Sequence, residues 1–380
     1  MSYTPRLLQL GPLLSKKSFF LLGPRATGKT TLIRHQLSEI RLYDLLDSLT
    51  FTRLLKNPRL IEEENRKDQC LIVVDEIQKL PSLLDEVHRL IEKYDWKFLL
   101  TGSSARKLKR GAANLLGGRA RMAHLFPLTS HEIEDFDLLR YLNHGGLPAI
   151  YLSEEPQEDL AGYVSLYLKE EIQAESLTRN LPAFSTFLDA IALSNGEEIN
   201  MESFASDCGV SPITVKNYLQ ILEDTLVGFS LPGFRKTKKR KAISRIKHYL
   251  FDVGVVNHLC QRGLIQSKSE LFGKAFEQFL IQEVRACLDY QRTIVSLSYW
   301  RSTSQFEVDL ILGQKLALEI KATSLVQDKH LKGLRALKEE GLIEKYAIVS
   351  LDEEERTTED GIAIYPWKVF LKKMWDRKIV

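Results

Sequence analysis

The feature that most constrains this chain is a glycine-rich turn near its N-terminus. The turn reads Gly-Pro-Arg-Ala-Thr-Gly-Lys-Thr over residues 23–30, follows the apolar run Phe19–Leu22 and opens a stretch of helical periodicity. Backbone N–H groups that converge at a helix N-terminus bind phosphate, and glycine lets the chain curl closely around it. The sequence therefore predicts a triphosphate site on a strand–turn–helix unit. The residues predicted to contact the nucleotide are Gly23, Pro24, Arg25, Ala26, Thr27, Gly28, Lys29, Thr30 and Thr31.

An acidic motif further along completes this site. Residues 71–74 form the apolar run Leu-Ile-Val-Val, which ends in Asp75 and Glu76. Lys29 is expected to reach the β and γ phosphates of ATP, and the Thr30 hydroxyl and Asp75 are expected to hold Mg²⁺. Glu76 is expected to polarise the attacking water, which favours ATP hydrolysis over nucleotide binding alone.

Polar residues also follow a later strand. Residues 97–100 read Lys-Phe-Leu-Leu and lead into Thr101, Gly102, Ser103 and Ser104. In ATPases with an additional strand, a polar side chain at this place contacts the γ-phosphate or its attacking water. We expect Ser103 in this role, with Thr101 in reserve. The alternative is a Gly-Ser turn without a catalytic function.

Length and composition set the general class. The chain has 380 residues, of which 44% are hydrophobic and 27% charged, as in ordinary globular domains. No apolar run approaches the ~18 residues of a membrane helix. The apolar N-terminal segment is broken by Pro12, Lys16 and Lys17, so we do not expect a signal peptide. The four cysteines form no C-x-x-C pair, so we expect a cytoplasmic protein without structural zinc or disulfides.

The pattern of apolar residues changes twice along the chain, which predicts three domains over residues 1–155, 156–264 and 265–380. In the first, short apolar runs alternate with amphipathic stretches, which is typical of an α/β domain with a parallel sheet. The second is mostly helical, and the third is again α/β. The predicted strands of the first domain are Phe19–Leu22, Leu42–Leu45, Leu71–Val74, Lys97–Thr101 and Arg121–Phe126.

Three further sequence segments follow the motifs described above along the chain. They read Leu-Leu-Gly-Gly-Arg over 115–119, Leu-Phe-Pro-Leu-Thr over 125–129 and Gly-Gly-Leu-Pro over 145–148. With the motifs above, they resemble a large prokaryotic family of AAA+-like ATPases whose C-terminal half has long been labelled a domain of unknown function. The resemblance implies a five-stranded parallel ATPase core.

The same resemblance implies a role for Arg119. In AAA+ proteins an arginine at this place commonly reaches the γ-phosphate held by the neighbouring subunit. Such an arginine finger requires a homo-oligomer, with a ring as the expected form. The alternative is a structural arginine that pairs with a nearby carboxylate. Arg106 is the weaker candidate for the finger.

The middle domain contains a helix–turn–helix pattern followed by a basic segment. Ser211 and Pro212 are expected to start a helix that leaves Lys216 and Asn217 exposed, and the pattern resembles a winged helix that binds a DNA groove. The segment where the wing is expected contains no acidic residue, and phosphate contacts with DNA are expected there. Its basic residues are Arg235, Lys236, Lys238, Lys239, Arg240, Lys241, Arg245 and Lys247. The alternatives are a targeting signal or a solvated hairpin.

The last domain carries acidic residues in a helix–strand–strand order. Glu277 lies on a predicted helix, Asp309 on the first strand, and Glu319 with Lys321 on one face of the next strand. This resembles the PD-(D/E)XK nuclease fold, which implies that the three carboxylates bind Mg²⁺ while Lys321 orients water. The alternative is a nuclease-like fold kept for binding or assembly.

Three functions follow from these patterns. The first is an ATP-hydrolysing motor that binds and remodels or translocates DNA, duplex or branched, including branch migration of Holliday junctions. The second is an ATP-dependent, Mg²⁺-dependent DNA endonuclease. The third is a nucleotide-switched DNA-binding regulator, which Glu76 and Arg119 argue against because a switch needs no fast turnover. We rank the motor first.

Overall fold

The structure is a computed structural model that describes residues 3–66, 71–105, 116–168 and 180–379. Cys70, Arg106 and Leu115 lie outside the described residues.

The first domain is built on a parallel sheet. In the described chain it has five strands in the order β2–β3–β4–β1–β5, so that β4 lies between β1 and β3. The strands β1 and β4 are buried along their whole length, which explains their continuous apolar runs. The parallel α/β core predicted from the sequence is confirmed. The strands are β1 (Ser18–Leu22), β2 (Ile40–Asp44), β3 (Leu71–Asp75), β4 (Phe98–Gly102) and β5 (Ala120–His124).

Helices cover both faces of this sheet. Phe20 and Leu22 pack on one face, whereas Phe19 and Leu21 pack on the other, as the two-residue repeat of a strand requires. The Asp47 carboxylate accepts the N–H groups of residues 49 and 50 and thereby starts one helix. The helices are α1 (Leu10–Leu14), α2 (Lys29–Gln36), α3 (Ser48–Lys56), α4 (Leu60–Asn65) and α5 (Leu83–Tyr94), with a 3₁₀ turn at Ile77–Lys79.

The middle of the chain is mostly helical. Helices α10 and α11 pack against each other and against α9, and a two-stranded antiparallel hairpin follows. Asn200 and Ser211 cap α10 and α11 with their side chains. The elements are α6 (Leu138–His144), α7 (Pro148–Tyr151), α8 (Pro156–Gly162), a π-helical segment (Tyr163–Leu168), α9 (Leu181–Leu193), α10 (Met201–Asp207), α11 (Pro212–Asp224), β6 (Gly228–Pro232), β7 (Ile246–Leu250) and α12 (Val253–Leu259).

The C-terminal part is a mixed sheet with the strand order β12–β13–β11–β10–β9–β8 in the described residues. Its long helix α13 packs against β10 and α15. The elements are α13 (Glu270–Tyr290), β8 (Leu297–Arg301), β9 (Glu307–Leu312), β10 (Leu316–Lys321), a 3₁₀ turn (Asp328–Leu331), α14 (Lys332–Lys338), β11 (Lys345–Ser350), β12 (Arg356–Thr357), β13 (Ala363–Pro366) and α15 (Trp367–Trp375).

The three parts share packed surfaces. Tyr141 of α6 and Tyr151 of α7 lie in the same apolar core as Phe279 of α13. The Arg285 guanidinium of α13 lies over the rings of Phe229 in β6 and Phe126 after β5. The domain boundaries near 155 and 264 remain predictions. No helix of the described residues has both the length and the apolar character needed to cross a membrane.

Candidate nucleotide site and the other predicted sites

The glycine-rich turn joins β1 to α2 and curls around the Lys29 side chain. Gly28 has a φ of +91°, and Ala26 has a φ of +62°. The Lys29 ammonium donates hydrogen bonds to the carbonyl oxygens of Gly23 at 2.7 Å and Pro24 at 3.0 Å. A Cβ atom at Gly23 would lie 2.4 Å from the carbonyl oxygen of Leu125, so the close approach of the turn to the end of β5 requires glycine here.

The turn and the end of β3 meet at one carboxylate. The Thr30 hydroxyl donates to Asp75 Oδ2 at 2.8 Å, and the Thr101 hydroxyl donates to Asp75 Oδ1. Thr101 Oγ1 in turn accepts the Glu76 N–H at 3.2 Å. A hydroxyl beside a carboxylate supplies the oxygen ligands that Mg²⁺ prefers, so the residues present fit this ion. The structure thus brings together Thr30, Asp75 and Thr101, which is the second candidate for contact with the γ-phosphate or its water.

Glu76 is fixed by a residue that the sequence analysis missed. Glu76 adopts a left-handed backbone conformation with a φ of +59°. The Gln78 side-chain amide donates to the Glu76 carboxylate and to Ser103 Oγ, the latter at 3.1 Å. Ser103 therefore reaches Glu76 through Gln78, whereas Thr101 contacts Asp75 directly. The signal of Gln78 in the sequence is weak, since it is simply a polar residue two positions after Glu76.

Two cavities share Ala26 and Gly28 of the turn. One has a volume of about 710 Å³ and is lined by Lys29, Thr30, Glu76 and Tyr163, among others. The second has a volume of about 500 Å³ and is lined by residues that include Tyr3 and His35, whose rings stack at 3.8 Å. Ala26, Gly28 and Thr31 of the predicted nucleotide residues line both cavities. The turn therefore lies between a cleft that contains Lys29 and Glu76 and a cleft that contains Tyr3 and His35.

A buried arginine connects the turn to the C-terminal domain. Arg6 donates to the carbonyl oxygen of Thr27 at 2.8 Å and to the Tyr290 hydroxyl at the end of α13 at 3.2 Å. It also pairs with Glu132 at 3.1 Å. Burial alone would lower the pKa of Arg6, but Tyr290 and Glu132 outweigh it and raise that pKa above its usual range. Local sequence patterns do not indicate this contact, because its partners lie far apart along the chain.

Arg119 lies just before the start of β5, whereas the turn lies beyond the opposite end of the neighbouring strand β1. It directly precedes β5, which runs parallel to β1 with Ala120 beside Ser18, whereas the turn follows the other end of β1. Its side chain pairs with Glu92 of α5 and lowers the pKa of that carboxyl. Arg119 therefore does not lie near the turn of its own chain, and a finger role requires a second copy.

Most of the residues predicted to bind DNA are exposed, and they lie on two elements of the middle domain. Lys216 and Asn217 lie exposed on α11. Arg235, Lys236, Lys238, Lys239 and Lys241 are also exposed, in the loop between β6 and β7.

Arg240 and Lys247 of this segment are instead paired with acidic side chains of the C-terminal domain. Arg240 pairs with Glu339 at 2.6 Å and lies over the Phe306 ring. The buried Lys247 pairs with Glu307 of β9 at 2.6 Å. The segment is therefore not a freely extended wing, since part of its charge holds it on the C-terminal domain.

The predicted nuclease residues lie close together but are linked through lysines. Lys321 contacts Glu319 at 2.7 Å and Asp309 at 3.4 Å, whereas Glu277 faces Lys247 at 3.7 Å and accepts the Tyr249 hydroxyl. Burial, then the neighbouring Asp309, raises the pKa of Glu319. The described residues contain no group of three or more histidines, cysteines or carboxylates placed to hold a metal ion. Metal binding by Asp309, Glu319 and Glu277 remains a prediction.

The sheet order, the phosphate-binding turn and the paired acids after β3 define a P-loop ATPase domain. The AAA domain family matches residues 15–134. The rest of the chain matches two domains of unknown function, DUF8612 over residues 135–266 and DUF4143 over residues 272–370.

This chain is similar in sequence to two uncharacterized proteins and in fold to a solved structure. The uncharacterized protein Rv2008c of Mycobacterium tuberculosis is 27% identical over 317 residues, which cover 80% of this chain and 70% of that protein. The uncharacterized protein MJ1544 of Methanocaldococcus jannaschii is 26% identical and covers 56% of this chain and 52% of its own length. The Aeropyrum pernix ORC1 protein in complex with DNA has a TM-score of 0.27 and 11% identity over 64% of this chain and 86% of its own.

Proposed function

We propose that this protein is an ATP-hydrolysing motor of the AAA+ type that binds and remodels or translocates DNA. The observation that carries the proposal is the meeting of Thr30 and Thr101 at the Asp75 carboxylate, directly beside Glu76. This arrangement supplies a phosphate-binding turn, ligands for Mg²⁺ and a carboxylate base within one small region.

Each group of the site has one role in this proposal. Lys29 neutralises charge on the β and γ phosphates. Thr30 and Asp75 would hold a Mg²⁺ ion, which would stabilise the charge of the triphosphate. Glu76 accepts a proton from the attacking water, while Gln78 and Ser103 fix its carboxylate. The base and sugar occupy the aromatic cavity beside Tyr3 and His35, because a flat ring stacks well on such a surface.

DNA binding is supported by the middle of the chain. Helices α10 and α11 form a helix–turn–helix unit, and the hairpin β6–β7 follows at the place of a wing. Lys216 and Asn217 are exposed on α11, and the loop of the hairpin exposes several further cations. We therefore assign α11 to a DNA groove and the loop to the phosphate backbone, with affinity that falls steeply as salt rises.

The proposal is tested by measuring ATP hydrolysis with and without duplex and branched DNA. We expect hydrolysis that DNA stimulates and that Lys29→Ala abolishes, while Lys16→Ala, a matched change of an exposed lysine before β1, leaves it intact. Displacement of a labelled strand or movement of a junction would support the motor. Hydrolysis that is the same with and without DNA would contradict the coupling to DNA.

A further inference from the structure

We infer that Lys247 occupies the cation position of the C-terminal acidic site and holds the middle domain on the C-terminal domain. The acidic site consists of Glu277, Glu307, Asp309 and Glu319. Lys247 comes from β7 of the hairpin, whereas the four carboxylates come from α13, β9 and β10. The ammonium group therefore crosses from one domain to the other.

The position of Lys247 fits a fixed internal cation. Only 4% of the residue is exposed, and its ammonium lies 2.6 Å from Glu307 and 3.7 Å from Glu277. The Tyr299 ring lies 5.2 Å from the same nitrogen. Burial alone would lower the pKa of this lysine, but Glu277, Asp309 and Glu307 outweigh it and raise that pKa above its usual range. A buried lysine with such neighbours remains charged.

Two lysines offset part of the charge of the four carboxylates. Lys247 faces Glu277 and Glu307, and Lys321 faces Glu319 and Asp309. Removal of one partner of a buried ion pair leaves an uncompensated charge, so each lysine stabilises the carboxylates around it. A divalent ion at this place would meet two ammonium groups of like charge. The residues present therefore do not fit a nuclease metal while Lys247 is in place.

One carboxylate oxygen of the site is an acceptor that no described donor uses. Glu319 Oε2 is buried, and it has no hydrogen-bond partner among the described residues. Buried carboxylate oxygens normally have a partner, so this oxygen points to a position where a further cation could bind once the lysine charge is removed. Lys247 of the neighbouring domain thus fills the part of the acidic site that Glu277 and Glu307 form.

The inference is tested by titrating the full-length chain with Tb³⁺ in the absence of nucleotide. Tyrosine close to bound Tb³⁺ sensitises its emission, and Tyr299 lies at the site. We expect little saturable emission that depends on Asp309 from the wild type. We expect Asp309-dependent binding that is about tenfold tighter or more in Lys247→Met, because the like charge is gone. Lys247→Arg is the matched control, because it keeps the charge and should behave as the wild type does.

Two results would overturn the inference. One is emission that depends on Asp309 and saturates as readily in the wild type as in Lys247→Met. The other is saturable emission of the wild type that disappears in Asp309→Asn, because it would show that the acidic site accepts a metal with Lys247 present. This comparison does not require Lys247→Met to fold. The tighter binding of Lys247→Met should in turn disappear when Lys247→Met is combined with Asp309→Asn.

Discussion

At the residue scale, the position of the Glu76 carboxylate decides whether a water can be activated. In the described residues, the Gln78 amide connects Glu76 to Ser103. A base that is no longer held within hydrogen-bond reach of its water loses much of its contribution, which is typically ~10²–10⁴-fold in rate.

We therefore predict that Gln78→Leu lowers the rate constant of ATP hydrolysis about tenfold or more with little change in nucleotide affinity. Ser103→Ala, which removes only the second partner of Gln78, is expected to have a smaller effect. Steady-state kinetics together with binding of a fluorescent ATP analogue separate the two parameters. Unchanged hydrolysis in Gln78→Leu would exclude a positioning role.

A second residue-scale prediction concerns His248, which is buried in the hairpin. Burial, then the nearby Arg285, lowers its pKa to about 3, against an ordinary value of 6.5. Between these values the unfolded chain binds a proton that the folded chain does not. Folding stability from this group is therefore complete above pH 6.5 and declines as pH falls below it.

The prediction is that His248→Gln flattens the dependence of unfolding free energy on pH between 4.5 and 6.5 by up to about 1.4 kcal/mol per pH unit. Urea unfolding of both proteins across this range measures the difference, and other titrating groups affect both proteins alike. Parallel curves for the two proteins would show that His248 is protonated in the folded chain.

At the scale of elements, the loop between β6 and β7 combines contacts within the chain with exposed cations. Lys236 and Lys241 are exposed, whereas Arg240 pairs with Glu339. We predict that Lys236→Gln with Lys241→Gln weakens DNA binding and reduces the salt slope of log K by about 0.9 for each DNA phosphate that the loop no longer neutralises.

A matched control is Lys332→Gln with Lys372→Gln, which removes two exposed lysines from the C-terminal helices α14 and α15. Titration of labelled duplex DNA at several salt concentrations gives the slope. An equal reduction of the slope in both double variants would indicate nonspecific charge effects and would contradict the role of the loop.

The elements also show what the sequence could predict. The five parallel strands and the turn were predictable, because apolar runs, glycines and the first helical residue are local patterns. The sequence does not predict the contacts of Arg6 and Lys247, because their partners lie far away along the chain. It does not predict the contact of Gln78 with Glu76 either, because that contact depends on the left-handed backbone conformation of Glu76. The basic segment was expected to be a wing free for DNA, but composition alone cannot distinguish exposed cations from paired ones.

At the scale of the whole molecule, Arg119 determines whether one chain suffices for catalysis. It lies at the opposite end of the parallel strands from the turn and pairs with Glu92 in its own chain. If it completes the site of a neighbour, a chain without Arg119 and a chain without Lys29 are each inactive alone for different reasons.

We predict that mixing Arg119→Ala chains with Lys29→Ala chains restores part of the ATPase activity, because an intact site can then form between them. An arginine finger contributes about 10³–10⁵-fold to turnover, so the rescued signal should be well above background. Two preparations of Arg119→Ala mixed with each other serve as the control. Absence of rescue, or full activity of Arg119→Ala alone, would contradict a finger that acts between chains.

The most direct test of the whole account is the comparison of Glu76→Gln with the wild type in ATP binding and in single-turnover hydrolysis. Since glutamine keeps the size of the side chain but cannot accept the proton of the water, we predict ATP binding within about threefold of the wild type and hydrolysis slower by ~10² or more. Wild-type hydrolysis in this variant would contradict the assignment of the active site.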